Sequence, residues 1–171
     1  MAENDTIAEF GEPAANGADT APAAGLLSQY VKDLSFENPN APAIFQNPTA
    51  PAIDVQFNIG SAKIADEVYE VVLKIEVRAT AESQAAFIVD LSYAGLFGIR
   101  NVPEGEALDG FLLGEAPRLL FPFARRVLAD AVRDGGFPPL MLEPIDFAQL
   151  YLQQADAQAG AQPNTPETGH A

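Results

Sequence analysis

Between Val68 and Ala79 the apolar residues Tyr69, Val71, Leu73, Ile75 and Val77 fall on one side, and Glu70, Lys74, Glu76 and Arg78 on the other. A period of two places successive side chains on opposite faces of a strand, so this run is stable only with one face buried and the other in water. Two further runs share the period. Ile53, Val55, Phe57 and Ile59 alternate with Asp54, Gln56 and Asn58 before the breaker Gly60-Ser61, and Phe87, Val89, Leu91 and Tyr93 alternate with Ile88, Asp90 and Ser92. Tyr30 to Glu37 reads as another half-buried strand, with Tyr30, Leu34 and Phe36 on one face and Val31, Asp33, Ser35 and Glu37 on the other.

Connection lengths constrain how these strands pair. Asn38 to Ala52 holds Pro39, Pro42, Pro48 and Pro51, which lack the ladder donor, and it is too long for a hairpin. Strands two, three and four are joined by short links, so strand one is expected to return beside strand four in a Greek-key order. Helical periodicity follows only after an irregular stretch from Arg100 to Ala116. Leu120, Phe123, Ala124, Val127, Leu128, Ala131 and Val132 share one face, with Gly135-Gly136 as the stop. A second helix is expected to be capped by Asp146, with Phe147, Leu150, Tyr151 and Ala155 on its apolar face. Strands followed by helices predict an α+β fold: a four-stranded antiparallel sheet with two C-terminal helices on one face, and the other face left open.

The ends lack such patterns. Residues 1 to 26 carry five acids and no base in an Ala/Gly/Pro background, and read as a disordered acidic arm; 27 to 155 read as the folded domain, and 156 to 171 as a disordered tail. The opening residues have no positive n-region, no apolar run reaches membrane-spanning length, and a cytoplasmic location is expected.

Composition then narrows the chemistry. With 24 acidic against 9 basic residues the net charge is −15, which disfavours nucleic-acid binding. Without Cys, and with His170 as the single His, thiol nucleophiles, Ser-His-Asp catalysis and His or Cys metal sites are set aside. An enzyme would have to use carboxylates, for which Asp66, Glu67 and Glu70 form the best cluster, although Glu70 lies on the polar side of its strand. The open face collects Asp33, Glu37, Asp54, Glu70, Glu76 and Asp90 against Lys74 and Arg78, with Ile88 as an apolar anchor, and should attract a basic partner. The apolar run Leu108 to Gly114, read as a loop, either packs on the core, covers a groove or faces a partner.

Several segments carry a resemblance. Tyr30-Val31-Lys32-Asp33-Leu34-Ser35-Phe36-Glu37-Asn38-Pro39-Asn40-Ala41-Pro42 closely resembles the first strand of the SecB family of bacterial export chaperones. Asp66-Glu67-Val68-Tyr69-Glu70-Val71-Val72-Leu73 is similar to the family's third strand, and Leu120-Phe121-Pro122-Phe123-Ala124-Arg125 to the start of its long helix. Gly136-Phe137-Pro138-Pro139-Leu140 and Pro144-Ile145-Asp146-Phe147 are similar to its helix connection.

This resemblance implies a non-enzymatic, ATP-independent chaperone that holds precursors unfolded in the cytosol and delivers them to the SecA translocase motor. It implies a homotetramer, built as a dimer of dimers, with no cofactor, no bound metal, no nucleic acid and no membrane insertion. Asp33, Glu37, Ile88 and Asp90 match family positions that contact SecA, whose basic zinc-binding C-terminal tail belongs to that partner surface. Val55, Phe57, Phe111, Phe147, Tyr151 and Ala155 are assigned to the client-binding groove, Phe111 through the loop that covers it. The alternative reading is an acidic adaptor or scaffold that binds a folded basic partner.

Overall fold

The structure is a computed structural model that describes residues 20–160. The alternating segments form β1 (Ala23–Glu37), β2 (Ala52–Ala65), β3 (Val68–Ala81) and β4 (Gln84–Arg100). They make one antiparallel sheet in the order β1-β4-β3-β2, so β1 returns beside β4 as the long first connection requires. That connection contains only a short 3-10 turn, Ala43–Gln46, among its prolines.

Val71, Leu73, Ile75 and Val77 on β3 and Val89 and Leu91 on β4 are fully buried beneath the helices. Removing each such side chain from water contributes about 1.5–3 kcal/mol. The helices occupy this face alone, leaving the alternate residues of every strand on the open face.

The helical part differs from expectation at its start. The segment read as irregular is helical from α1 (Glu106–Gly110) through a π-helical turn, Phe111–Glu115, into α2 (Ala116–Asp134). Gly114 disguised this segment as a loop. Its missing side chain is needed for packing instead, since a Cβ there would lie 3.3 Å from the Ala148 Cα. Pro117 follows directly after the π-helical turn, as the second residue of α2. At the other end Gly136 adopts φ +91°, the Phe137 N–H donates to the Val132 carbonyl at 3.3 Å, and the Gly136 N–H donates to Arg133 at 3.0 Å. That pair of bonds is a Schellman stop, as the double glycine suggested.

Asp146 caps the last helix, α3 (Phe147–Gly160), its Oδ1 accepting the Gln149 N–H at 3.0 Å. The ordered unit exceeds the expected 27 to 155 at both ends. β1 begins at Ala23, because Ala23 to Leu26 find ladder partners in Arg100 to Phe97, and α3 continues to Gly160. The expectations for residues 1 to 19 and 161 to 171 lie outside the described residues.

Strand β1 departs from simple alternation. Its register slips between Val31 and Asp33, leaving Lys32 as an extra residue in a β-bulge. Tyr30 pairs with Ala94 and so lies on the open face; it does not share the face of Leu34 and Phe36, which pair with Leu91 and Val89. Val31, opposite Tyr93, takes the helix side. A bulge shifts every side chain on one side of it, and strict alternation cannot anticipate this.

Candidate functional site

The open face can be read as rows across the sheet. Glu37 lies opposite Ile88, which lies opposite Arg78, which lies opposite Asp54. The next row is Ser35, Asp90, Glu76 and Gln56, and the next is Asp33, Ser92, Lys74 and Asn58. Asp33, Glu37, Ile88 and Asp90 thus come from two strands far apart in sequence and meet within three adjacent rows. Directly opposed residues in such rows have Cβ atoms about 4.5–5.5 Å apart.

Cations balance only part of this face. Lys74 binds Glu76 at 2.6 Å, and the ammonium is held above its ordinary pKa, chiefly by that bond, with Asp90 and Asp33 adding to it. Asp33, Glu37 and Asp90 form no ion pair among the described residues, so the rows nearest β1 keep a negative excess. Glu70 is engaged differently. Its carboxylate accepts the Lys32 ammonium at 2.8 Å and the Tyr30 hydroxyl at 2.6 Å, and these bonds, Lys32 first, hold it below the usual carboxylate range. A general acid needs the opposite shift. Asp66 and Glu67 sit in the tight β2–β3 turn, Glu67 at φ 57°.

The helix side carries an apolar cleft. On β2, Phe57 packs edge-on against Phe121 of α2 and Phe147 of α3, with ring centroids 6.4 and 6.1 Å apart, and Phe121 and Phe147 are 5.6 Å apart. These rings brace a cleft lined by Phe57, Ile59, Leu113, Leu150, Tyr151 and Gln154. Val55 lies on the same face of β2, one alternation from Phe57, and Ala155 is exposed one turn beyond Tyr151.

Two expected groove residues are placed otherwise. Phe147 is only 1% exposed, so it anchors the cleft from beneath and offers no surface to a ligand. Phe111 belongs to the π-helical turn, not to a loop, and stacks edge-on over Phe97 at 5.7 Å.

Ile59 and Leu150 were missed although both follow the periodicity of their elements, whereas Leu113 was hidden by the misread helix. A second apolar surface was also missed. Phe45 of the first connection and Phe137 of the helix connection lie 5.2 Å apart, and Phe137 reaches Phe87 at 4.9 Å. Phe45 is 49% exposed and flanks a cleft with Ile44, Pro48 and Pro138. Its two halves lie in separate irregular segments, and no single periodic pattern could have joined them.

Known proteins are similar to this chain. A family model described as Preprotein translocase subunit SecB matches residues 17–158. A protein-export protein SecB of Sphingopyxis alaskensis is 58% identical over 161 residues, covering 93% of each chain. The corresponding protein of Rhizorhabdus wittichii is 64% identical over 151 residues, covering 88% of this chain and 90% of its own. The solved structure of the Mycobacterium tuberculosis Rv1957 SecB-like chaperone, in complex with a ChAD peptide from the Rv1956 HigA1 antitoxin, superposes with a TM-score of 0.58 at 16% identity. It covers 71% of this chain and 87% of that one, a likeness of fold. With the family match spanning the sheet, both helices and the connection between them, this chain belongs to the SecB family of protein-export chaperones.

Proposed function

We propose that the protein acts in the cytosol, holds precursor chains unfolded without ATP on its helix-side apolar clefts, and passes them to SecA through the acidic open face. The observation that carries this reading is that one sheet presents two unlike faces. Phe57 and Tyr151 face the helix side while Asp33, Glu37, Ile88 and Asp90 face away, so client and motor can be bound at once. Apolar contact gains about 25 cal/mol per Å² removed from water whatever the client's sequence, and unfolded chains supply more contiguous apolar surface than native ones. The unpaired carboxylates suit a basic partner such as the SecA C-terminal tail.

Assembly as a dimer of dimers is supported by surface the single chain leaves uncovered. Leu26, Val31 and Leu34 on the helix-facing side of β1, and Leu119 and Phe123 on α2, are each 37–44% exposed. Packing of these residues between copies would bury them, and four grooves on one particle would raise avidity for a long client. Native mass spectrometry should find a particle of about 72 kDa, four times the 18.1 kDa chain. A monomer at micromolar concentration would contradict the assembly.

The functional test is suppression of aggregation of a reduced, unfolded substrate in the absence of nucleotide. Wild type should suppress it, and Tyr151→Glu, which puts an unpaired charge into the cleft, should weaken client binding about tenfold while the tetramer persists. An acidic adaptor would bind a folded basic protein and show no affinity for the unfolded chain.

A further inference from the structure

Tyr30, Lys32 and Glu70 form a cluster that neither client holding nor charge attraction explains. Glu70 stands on β3 and the other two on β1, with β4 between them. The Tyr30 hydroxyl donates to Glu70 Oε1 at 2.6 Å, and Lys32 Nζ donates to both carboxylate oxygens at 2.8 and 2.9 Å. Tyr30 is paired with Ala94 and Glu70 with Leu96, so these bonds run diagonally over β4, where Ala94 offers little height to obstruct them. The Glu70 side chain is 12% exposed against 48% for Lys32, so the shielded carboxylate is the hub and the ammonium closes it from the solvent side.

Lys32 is also the extra residue of the β1 bulge. The two arms of the cluster are therefore the residue that enters the bulge on the open face and the bulged residue itself. Beyond the bulge, Asp33, Ser35 and Glu37 all point to the open face, opposite Ser92, Asp90 and Ile88. Continuing the alternation from Tyr30 without an extra residue would put Lys32 on the open face but Asp33 and Glu37 on the helix side. With Tyr30 on the open face, the two β1 acids share that face with Asp90 only because the bulge is there.

We infer that Glu70, with Tyr30 and Lys32, is a positioning device that locks the β1 bulge and thereby presents Asp33 and Glu37 beside Ile88 and Asp90 to a basic partner. The inference rests on the reading of that face as the SecA docking surface. It assigns Glu70 no contact with the motor. The aligned β1 acids then form a preorganised patch, which lowers the ordering cost of association.

The test uses the full-length assembly, with three readouts and four variants. Tyr30→Phe removes the hydroxyl without changing charge, Glu70→Ala removes the hub, Glu70→Gln keeps acceptor and shape, and Asp90→Lys reports on the docking surface itself. Amide hydrogen exchange at Lys32, Asp33 and Leu34 should speed up about fivefold in Tyr30→Phe and more than about tenfold in Glu70→Ala, with Glu70→Gln restoring most of the protection. SecA affinity, measured by calorimetry, should fall in the same order, by about threefold and about tenfold, while affinity for an unfolded client stays at the wild-type value.

Unchanged exchange in both Tyr30→Phe and Glu70→Ala would overturn the lock. Faster exchange with wild-type SecA affinity, while Asp90→Lys loses affinity, would overturn the positioning role. If Asp90→Lys itself binds SecA normally, the docking reading fails, and the positioning role fails with it. The exchange data then still decide whether the bulge is locked.

Discussion

Asp90→Lys is expected to weaken association with SecA by at least about tenfold, a loss of about 1.4 kcal/mol or more, with client affinity unchanged. The size follows from position. Asp90 is half-buried at the centre of the open-face rows, with Ser35 and Glu76 as its direct neighbours and the Asp33 and Glu37 rows on either side. Lysine there would both remove one carboxylate and offer a local counter-charge to Asp33, Glu37 and Glu76, so the negative excess would collapse. The fold should tolerate the change, because the new ammonium sits among acids and reaches solvent. Since the attraction acts between exposed charges, screened over roughly 10 Å at 0.1 M salt, wild-type affinity should fall between about 50 and about 500 mM salt, and the variant's much less. Surface plasmon resonance at several salt concentrations measures both. Equal losses of SecA and client binding would mean that the substitution had damaged the assembly, and equal salt slopes would remove charge from the explanation.

The second large effect concerns stability. Phe147→Ala should lower the unfolding free energy by about 3–5 kcal/mol, the range for deleting a fully buried aromatic ring. Phe147 is 1% exposed, opens α3, and lies 6.1 Å from Phe57 and 5.6 Å from Phe121, so it joins that helix to β2 and α2 together. Gly114, whose absent side chain permits the approach of Ala148, completes the contact. Because Tyr151 lies one turn further along α3, loosening its anchor should also weaken client binding. Urea unfolding followed by circular dichroism gives the stability, and fluorescence titration with an unfolded substrate gives the affinity. A change below about 1 kcal/mol would show that α3 is held elsewhere, since such small effects are typical of exposed positions.

Much of this organisation was legible in the chain. The alternation at Ile53 to Ile59, Tyr69 to Val77 and Phe87 to Tyr93 specified three strands and their faces, because a sheet covered on one side admits apolar residues only at every second position. The proline-rich link after Glu37 excluded a hairpin and so implied the β1-β4-β3-β2 order. Together with the alternation of Leu34 and Phe36 in the first strand, those deductions placed Asp33, Glu37, Ile88 and Asp90 on one open face, where the structure has them. Asp146 and Gly135-Gly136 declared helix ends through chemistry local to a few residues.

The remaining features depend on partners that lie far away along the chain. A glycine that admits a neighbouring helix, as Gly114 does for Ala148, has the same local signature as one that makes a turn, so the helix from Glu106 was read as a loop. Phe147 belongs to an apolar helix face whether it lines a cleft or braces it, and only the rings of Phe57 and Phe121 around it settle which. The bulge at Lys32 is a mismatch between two strands, defined by the residues opposite it on β4, and its lock reaches across to Glu70 on β3. Periodicity along the chain determined which residues could share a face, since it is a property of one strand. Register, close approach and the side-chain bonds across the sheet were decided only in the tertiary structure, because each is a relation between segments that the chain's local pattern does not contain.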